Sequence, residues 1–311
     1  MPNAISGVLL IDKPSGMTSH DVVNRVRRTL GQRSVGHLGA LDPLATGILP
    51  IVLGKMTRLA QFYANSSKTY DGCIQFGVAT DTYDAEGRVI AIAPTPLNLS
   101  FNELRAAALE FVGVMDQTPP PFSAKKVDGI PAYKLARKQK GVFLRPVRVQ
   151  IESFEISSFD NDRAQFQIEV SSGTYVRSIA HELGRRLRCG GHLESLRRSR
   201  FAEFALSEAH SLQAIDLARQ NGRLESLLIC PRELLPQIPS VSVADEVVAR
   251  IQRGQRVTLA EPSSALQVKV YSELGELAAI ATRISDAEFH AGVVFAESRS
   301  AQESIQMTGA N

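Results

Sequence analysis

The chain has 311 residues, of which 44% are apolar and 22% are charged, with 35 Lys and Arg against 32 Asp and Glu, three cysteines and no tryptophan. The apolar content excludes an intrinsically disordered chain, the length predicts one large domain or two, and no apolar run reaches the roughly 18 residues that a membrane span needs. Because the N-terminus lacks a basic and then apolar leader, and the cysteines are too few for a disulfide framework, we expect a soluble protein of the reducing cytoplasm.

The predicted elements up to residue 230 mix strands with helices. Apolar alternation predicts strands, and helical spacing after a capping residue predicts helices, as at Ser19 and at the capping box of Ser100 and Glu103. In chain order we predict a strand at 8–11, a helix at 19–30, a hairpin of strands at 70–76 and 88–92, a helix at 100–111, strands at 145–156 and 165–170, and helices at 174–187 and 192–198. Since no regular strand-helix-strand repeat occurs, we predict an α+β fold rather than a doubly wound one.

A proline-rich stretch with Pro231, Pro236 and Pro239 is the predicted domain boundary. Beyond it the composition turns acidic, and the pattern predicts a helix at 247–251 and strands at 268–271, 277–281 and 293–295. We therefore predict a large domain at 1–235 and a small β-rich domain at 236–311.

Charge is distributed unevenly between these two regions. Residues 240–311 hold 6 Lys and Arg against 9 Asp and Glu, which leaves 29 against 23 for the rest of the chain. Two clusters, at 125–148 and 185–200, carry the basic excess. One such cluster is most often a solvated surface, but two of them with interleaved aromatic residues favour binding to RNA. The candidate RNA contacts are Lys125, Lys126, Lys134, Arg137, Arg197 and Arg198.

Three common site motifs do not fit the sequence. The segment 47–57 resembles a phosphate loop, but six residues separate its glycines where four are required. His181, Cys189 and His192 have irregular spacing for zinc ligands, and we interpret them as structural. No G-x-S-x-G nucleophile motif occurs. We therefore expect a protein that uses neither a metal nor any other cofactor.

The most distinctive segment for chemistry is G-H-L-G-A-L-D-P-L-A-T-G, residues 36–47. Its three glycines let the backbone approach a ligand closely, and Pro43 biases Asp42 toward an extended conformation. Considered alone, the segment leaves two interpretations open. Asp42 is either an ordinary turn residue before proline or a catalytic carboxylate.

Five ordered motifs decide between these interpretations: G-H-L-G-A-L-D-P-L-A-T-G, K-T-Y, F-G-V-A-T-D-T-Y-D-A-E-G, P-P-P-F-S-A-K-K-V-D-G-I-P-A-Y-K-L-A-R and S-S-G-T-Y-V-R-S-I-A-H-E-L-G. With them the chain resembles the TruB family of tRNA pseudouridine synthases, from its N-terminal V-L-L-I-D-K-P-S-G-M-T-S-H to about residue 200. The resemblance implies a pseudouridine synthase catalytic domain with a mixed, largely antiparallel sheet and flanking helices, followed by a PUA-like domain. It also implies isomerisation of uridine to pseudouridine at position 55 in the T-loop of tRNA.

The resemblance assigns the chemistry to three residues. It implies that Asp42 is the catalytic aspartate, that Tyr70 stacks on the target base, and that Arg177 pairs with the aspartate. The reaction breaks the glycosidic bond, turns the uracil and rejoins it through C5. A carboxylate could attack the sugar, attack the base or remove a sugar proton, and the sequence leaves these routes open.

The resemblance further implies supporting roles around that centre. Tyr175 and Leu196 are expected to line the uracil pocket, His37 to occupy the space that the flipped nucleotide vacates, and Lys13 to support the active-site loop. The segment at about 117–141 resembles an insertion that clamps the T-stem-loop.

Two alternatives remain beside this interpretation. The guide-RNA-dependent pseudouridine synthases share the catalytic motifs, but the insertion favours a stand-alone enzyme that acts on tRNA as a monomer without a guide RNA. A non-catalytic RNA-folding protein would use the same basic surface and would tolerate the loss of Asp42.

Overall fold

The computed structural model describes residues 5–123, 125–127, 129–136, 138, 143–260 and 264–295. The chain forms two compact units, and the larger comprises Leu10–Ile51 with Tyr63–Leu227. The described parts of the smaller unit are residues 5–9, 52–62, 228–260 and 264–295. No helix within these described ranges is long and apolar enough to cross a bilayer.

The elements up to residue 230 alternate irregularly between strands and helices. The strands are β1 (Gly7–Lys13), β2 (Val35–His37), β3 (Thr46–Leu53), β4 (Lys68–Phe76), β5 (Val78–Thr80), β6 (Val89–Ile92), β7 (Gly113–Gln117), β8 (Lys126–Val127), β9 (Ile130–Pro131), β10 (Val147–Asp160), β11 (Arg163–Val170), β12 (Gly191–Phe201) and β13 (Phe204–Ala205). The helices are α1 (Ser19–Leu30), α2 (Phe101–Leu109), α3 (Ala132–Ala136), α4 (Val176–Arg186) and α5 (Leu212–Gln220).

One mixed sheet organises the larger unit. Its strands run in the order β1-β3-β12-β4-β11-β10-β7, with β2 added to β3 and β13 added to β12. The pairs along β12, β4, β11, β10 and β7 are antiparallel, whereas β12 and β3 are parallel. The prediction of an α+β fold with a mixed, largely antiparallel sheet is confirmed.

The N-cap of helix α1 lies one residue before the predicted cap, Ser19. Thr18 is the N-cap and forms a capping box with Asp21, and the helix ends at Gly31, whose φ of 65° is left-handed. Ser19 instead turns inward, where its hydroxyl accepts a hydrogen bond from the Leu41 amide at 2.8 Å. The start of α1 therefore holds the loop that carries Asp42.

Two predictions of secondary structure are wrong. Residues 192–198 were expected to be helical but belong to β12, which lies between β3 and β4 and is buried at 191–193, Leu196, Arg198 and Phe201. Because one of these buried positions carries a charged residue, Arg198, the apolar residues do not follow the period of a strand, and periodicity misidentifies it. The predicted hairpin also has a different partner, since β6 pairs with the short strand β5 and not with β4.

The smaller unit contains a second sheet. Its elements are β14 (Ser240–Val243), α6 (Asp245–Gln252), β15 (Val257–Thr258), β16 (Gln267–Ser272), β17 (Leu277–Arg283) and β18 (Glu288–Val294), with the strands in the order β14-β16-β17-β18-β15. Ile251 of α6 packs with Val268, Val270 and Phe289 in its core. The predicted β-rich module is present, and we keep the domain boundary near residue 235 as a proposal.

Candidate active site

A cavity of about 600 Å³ opens in the larger unit beside the loop that follows β2. The walls come from that loop, from β4, from the segment that leads into α4, and from β12. Among the lining residues are Asp42, Tyr70, Tyr175, Arg177, Leu196 and His37. The tertiary structure thus brings six predicted site residues to one cavity of a size typical of ligand pockets.

An ion pair between Asp42 and Arg177 lies in this cavity. The Arg177 Nε atom is 3.0 Å from Asp42 Oδ2, and Nη2 donates to Oδ1 at 3.4 Å. The Arg177 side chain is only 7% exposed, whereas that of Asp42 is 45% exposed. The carboxylate therefore faces the cavity while its partner stays behind it. Burial raises the pKa of the Asp42 carboxyl above its ordinary value, and the charge of Arg177 opposes that shift.

The guanidinium of Arg177 is held from the other side by the loop after β5. Its Nη1 donates to the carbonyl of Thr82 at 3.3 Å and lies 3.7 Å from Oδ2 of Asp84, whose side chain is also buried. The Phe122 carbonyl accepts from Nη2 at 2.9 Å. Arg177 thus lies between two carboxylates, one open to the cavity and one buried.

Sequence reasoning missed Asp84. We interpreted its segment as a hairpin turn, and nothing in the local pattern separates a buried acid from a turn acid. Asp84 accepts hydrogen bonds from Thr82 Oγ1 at 2.6 Å and from the Glu86 amide at 3.2 Å. The available signal was the presence of this segment among the five motifs of the resemblance.

The Asp42 loop is fixed by two buried cationic side chains. Lys13 is fully buried and donates to the carbonyls of Pro43 at 3.2 Å and Met17 at 2.7 Å, and burial lowers its pKa to about 8. Arg198, also fully buried, donates to the carbonyls of Gly39 at 3.1 Å and, at longer range, Ala40 at 3.4 Å. The carboxylate therefore projects from a backbone that is anchored on both sides.

Tyr70 and Leu196 form a largely apolar wall of the cavity from neighbouring strands. Tyr70 on β4 is 6% exposed and lies opposite Arg198 in the pairing with β12, while Leu196 on β12 is 9% exposed. Burial raises the pKa of the Tyr70 phenol, so the ring is neutral near pH 7. A neutral aromatic ring beside an aliphatic side chain suits a planar base.

Comparison with known proteins identifies the family of this chain. Residues 27–176 match the family model described as "TruB family pseudouridylate synthase (N terminal domain)", and residues 177–235 match "tRNA pseudouridylate synthase B C-terminal domain". The chain belongs to the TruB family. It is therefore an enzyme, an isomerase that converts uridine to pseudouridine.

Curated relatives match this TruB chain over most of its length. A protein of Solibacter usitatus named "tRNA pseudouridine synthase B" is 41% identical over 294 residues, which are 93% of this chain and 100% of the relative. A protein of Aquifex aeolicus with the same name is 41% identical over 280 residues, 88% of this chain and 96% of the relative.

Solved structures share the fold at lower identity. "Structure of H/ACA RNP bound to a substrate RNA containing 2'-deoxyuridine" matches with a TM-score of 0.70 and 21% identity, over 94% of this chain and 85% of that chain. "Crystal Structure of a Cbf5-Nop10-Gar1 Complex" matches with a TM-score of 0.68 and 23% identity, over 94% and 84% respectively. At these identities the likeness concerns the fold alone.

His37 and Tyr175 also border the cavity of the TruB chain. The Nδ1 atom of His37 accepts from the Gly39 amide at 3.2 Å, and burial lowers the pKa of the imidazole. Tyr175, the N-cap of α4, is fixed through its backbone by Gln117, which accepts from the Tyr175 amide at 2.8 Å. Their expected roles toward a nucleotide stay predictions.

One of the predicted RNA contacts is wrong. Arg198 is fully buried and donates to the backbone carbonyls of Ile48 and Gly39, so it has no access to phosphate. Arg197, on the opposite side of the strand, reaches solvent but already pairs with Asp12 at 2.7 Å. Basic residues that are adjacent in a strand point to opposite faces, and the charge count did not separate them.

The remaining candidates belong to the segment at about 117–141 that resembles the insertion. Lys125 and Lys134 are exposed, as the prediction of phosphate contacts requires. Lys126 belongs to β8, while its side chain and the whole of Arg137 lie outside the described residues. Within the described part of the chain, no group of three His, Cys, Asp or Glu residues could hold a metal ion.

Proposed function

We propose that this chain isomerises uridine 55 in the T-loop of tRNA to pseudouridine and that it acts without a guide RNA. The observation that carries the proposal is the partly exposed Asp42 carboxylate, 3.0 Å from the buried guanidinium of Arg177 in a cavity walled by Tyr70 and Leu196. The names of the curated relatives support tRNA as the substrate. The TruB assignment supports the reaction.

The target nucleotide must leave its stack before the carboxylate can reach it. Flipping costs a few kcal/mol, and stacking on Tyr70 returns about 1–3 kcal/mol. Because these two energies roughly balance, contacts to phosphate must supply the net affinity. Exposed Lys125 and Lys134 are the basic side chains that we propose for this purpose.

Asp42 then acts on the flipped nucleoside as an anion. The bond between C1′ and N1 breaks, the uracil turns, a bond forms between C1′ and C5, and the C5 proton leaves while N1 gains one. Arg177 keeps Asp42 ionised against the opposing effect of burial. It also orients the carboxylate through the paired contacts at 3.0 and 3.4 Å.

Release of tritium from tRNA that carries 5-tritiated uridine tests this proposal. The wild-type chain should release tritium from tRNA alone, and Asp42→Asn should lower the rate by at least about 10²-fold, since a lost base or nucleophile removes 10²–10⁴-fold. Asp160→Asn, the same change at an exposed strand end, is the matched control and should keep the wild-type rate.

A tRNA with cytidine at position 55 checks the site of modification. It should release no tritium, whereas release equal to that of the unchanged tRNA would contradict the assignment of position 55. Activity that appears only after a second RNA is added would instead support the guide-dependent alternative. Equal release by wild type and Asp42→Asn would overturn the proposed role of the carboxylate.

We place this activity in the cytoplasm and propose that the enzyme acts as a monomer. Support for a reducing compartment comes from the cysteines, because Cys73, Cys189 and Cys230 are all free thiols.

A further inference from the structure

Two stacked rings lie behind the ion pair, outside the cavity that holds Asp42. The ring of Tyr83 and the imidazole of His181 have centroids 3.9 Å apart and planes inclined by only 13°. His181 belongs to α4 and follows Arg177 by four residues, so both side chains project from the same face of that helix. Tyr83 belongs to the loop after β5.

Tyr83 holds an unfavourable backbone conformation between two residues that contact Arg177. Its φ is 69°, in the left-handed region that costs a side-chain-bearing residue free energy. Thr82 supplies the carbonyl that accepts from Arg177, and Asp84 supplies the buried carboxylate. The backbone angles of Tyr83 therefore set the directions of both groups.

Hydrogen bonds within the loop and to β12 hold its backbone, and within the loop the Tyr83 amide donates to the Thr80 carbonyl at 3.3 Å. The carbonyl of Tyr83 accepts from the Leu193 amide at 2.9 Å, and the carbonyl of Leu193 accepts from the Ala85 amide at 3.0 Å. These bonds tie the loop to β12. Besides the contacts of Arg177 itself, the stack on His181 connects the loop to α4.

The stack acts by contact rather than by charge. Burial lowers the pKa of His181, which favours the neutral imidazole near pH 7, and its Nδ1 atom is buried without a hydrogen-bond partner. The two rings also border a second cavity of about 410 Å³, with Phe111 and Ile179 among its other lining residues. Because of this adjoining space, removal of the imidazole would leave the tyrosine ring room to move.

We infer that His181 is a positioning residue for the isomerisation: its stack on Tyr83 holds the Thr82 carbonyl and the Asp84 carboxylate against Arg177, and so fixes the guanidinium that orients Asp42. This inference rests on the proposed function. It assigns His181 no contact with the RNA.

Single-turnover rates on the tritiated tRNA separate this role from simple packing. His181→Ala should lower the rate by roughly 10-fold to 100-fold, in the range expected when a reacting group is misplaced by about 1 Å. The dissociation constant for tRNA with cytidine at position 55 should stay within about twofold, because His181 touches no substrate.

His181→Phe keeps a stacked ring without a nitrogen and should restore the rate to within about threefold of wild type. His290→Ala, an exposed histidine of the smaller unit, is the control.

A double-mutant cycle with Asp84→Asn tests the route of the effect. If His181 acts through the loop, His181→Ala should slow the Asp84→Asn variant by much less than it slows wild type. Independent, multiplied effects would overturn the inference, as would a wild-type rate for His181→Ala or a His181→Phe rate as low as that of alanine.

Tyr83→Asn repeats the test if His181→Ala does not fold. Asparagine accepts the left-handed backbone but lacks the ring, so the rate should fall in the same range, and an unchanged rate would contradict the inference. A wild-type chain without activity would remove the proposed function and this inference together. An active wild type with an equally active His181→Ala would remove the inference alone.

Discussion

The start of α4 and the middle of β12 each bury an arginine, but the two guanidinium groups meet different partners. Arg177 faces the carboxylates of Asp42 and Asp84, one of which opens to the cavity. Arg198 donates mainly to backbone carbonyls, including that of Ile48 at 2.8 Å. A guanidinium paired with a partly exposed carboxylate can serve a reaction, whereas one that donates mainly to backbone carbonyls holds the chain in place. The comparison predicts that changes at the first site act mainly on activity, and that changes at the second act first on stability and, through the loop that carries Asp42, also on activity.

Of the two buried arginines, Arg177 should have the larger effect on activity. Without the guanidinium, Asp42 loses the charge that opposes the rise of its pKa and the contacts that orient it, and we expect the single-turnover rate to fall by about 100-fold, or roughly 3 kcal/mol of activation free energy. Arg177→Met should show this loss, and Arg177→Lys should recover only part of it because an ammonium lacks the planar fork. A lysine variant with the full wild-type rate would show that charge alone suffices.

At Arg198 we expect substitution to act first on the stability of the fold. Arg198→Met leaves buried carbonyls without donors, and we expect the free energy of unfolding to fall by about 3 kcal/mol. This free energy of unfolding is measured by urea denaturation. Arg200→Met, in the same strand but exposed, should change it by less than about 0.5 kcal/mol. Equal losses for the two variants would contradict the assigned role.

Gly47 tests how closely β3 and β12 approach at Arg198. Its φ is +100°, and a Cβ there would lie 2.3 Å from the Arg198 carbonyl oxygen. Gly47→Ala should cost about 2–4 kcal/mol of unfolding free energy through backbone strain and a clash with a neighbouring strand. Gly222→Ala, also at positive φ but with no atom within 4 Å, should cost only about 1 kcal/mol. Equal losses of unfolding free energy for the two variants would show that β3 and β12 move apart to accept the added methyl group.

The dependence of the rate on pH also distinguishes Arg177 from Arg198. The active form of Asp42 is the ionised one, and burial raises its pKa, so activity should fall with decreasing pH at a midpoint above the ordinary value of 3.8. Because the charge of Arg177 opposes that shift, Arg177→Met should move the midpoint higher, measured as single-turnover rates across the acid range. Arg198→Met should move it little, since other groups dominate the pKa shift of Asp42.

The smallest effects are expected at the exposed lysines. Lys125→Gln and Lys134→Gln should each weaken tRNA binding a few-fold and lower the slope of log affinity against log salt by about 1. Arg253→Gln, an exposed residue of the smaller unit, should leave the slope unchanged. If the slope falls only for Arg253→Gln, the RNA-binding surface lies on the smaller unit and not at Lys125 and Lys134.

Sequence reasoning succeeded where short segments carry the information. The glycine-rich loop around Asp42 and the capping box at Ser100 were identified because local backbone demands restrict which residues fit. It failed for the helix predicted at 192–198, because a charged residue at a buried position of β12 hides the apolar period of the strand. It also failed for Arg198, whose charge suggested a contact with RNA. Asp84 escaped because its burial depends on a partner that is 93 residues away in the sequence.

The sequence by itself determined the α+β class, the TruB resemblance and the residue types around Asp42. These follow from ordered motifs and from chemistry that each side chain carries wherever it lies. Only the tertiary structure decided which basic residues are buried, which carboxylates face Arg177, and that Tyr83 stacks on His181. Such facts depend on strand order and on contacts between distant segments, because burial and pairing arise only when the sheet assembles.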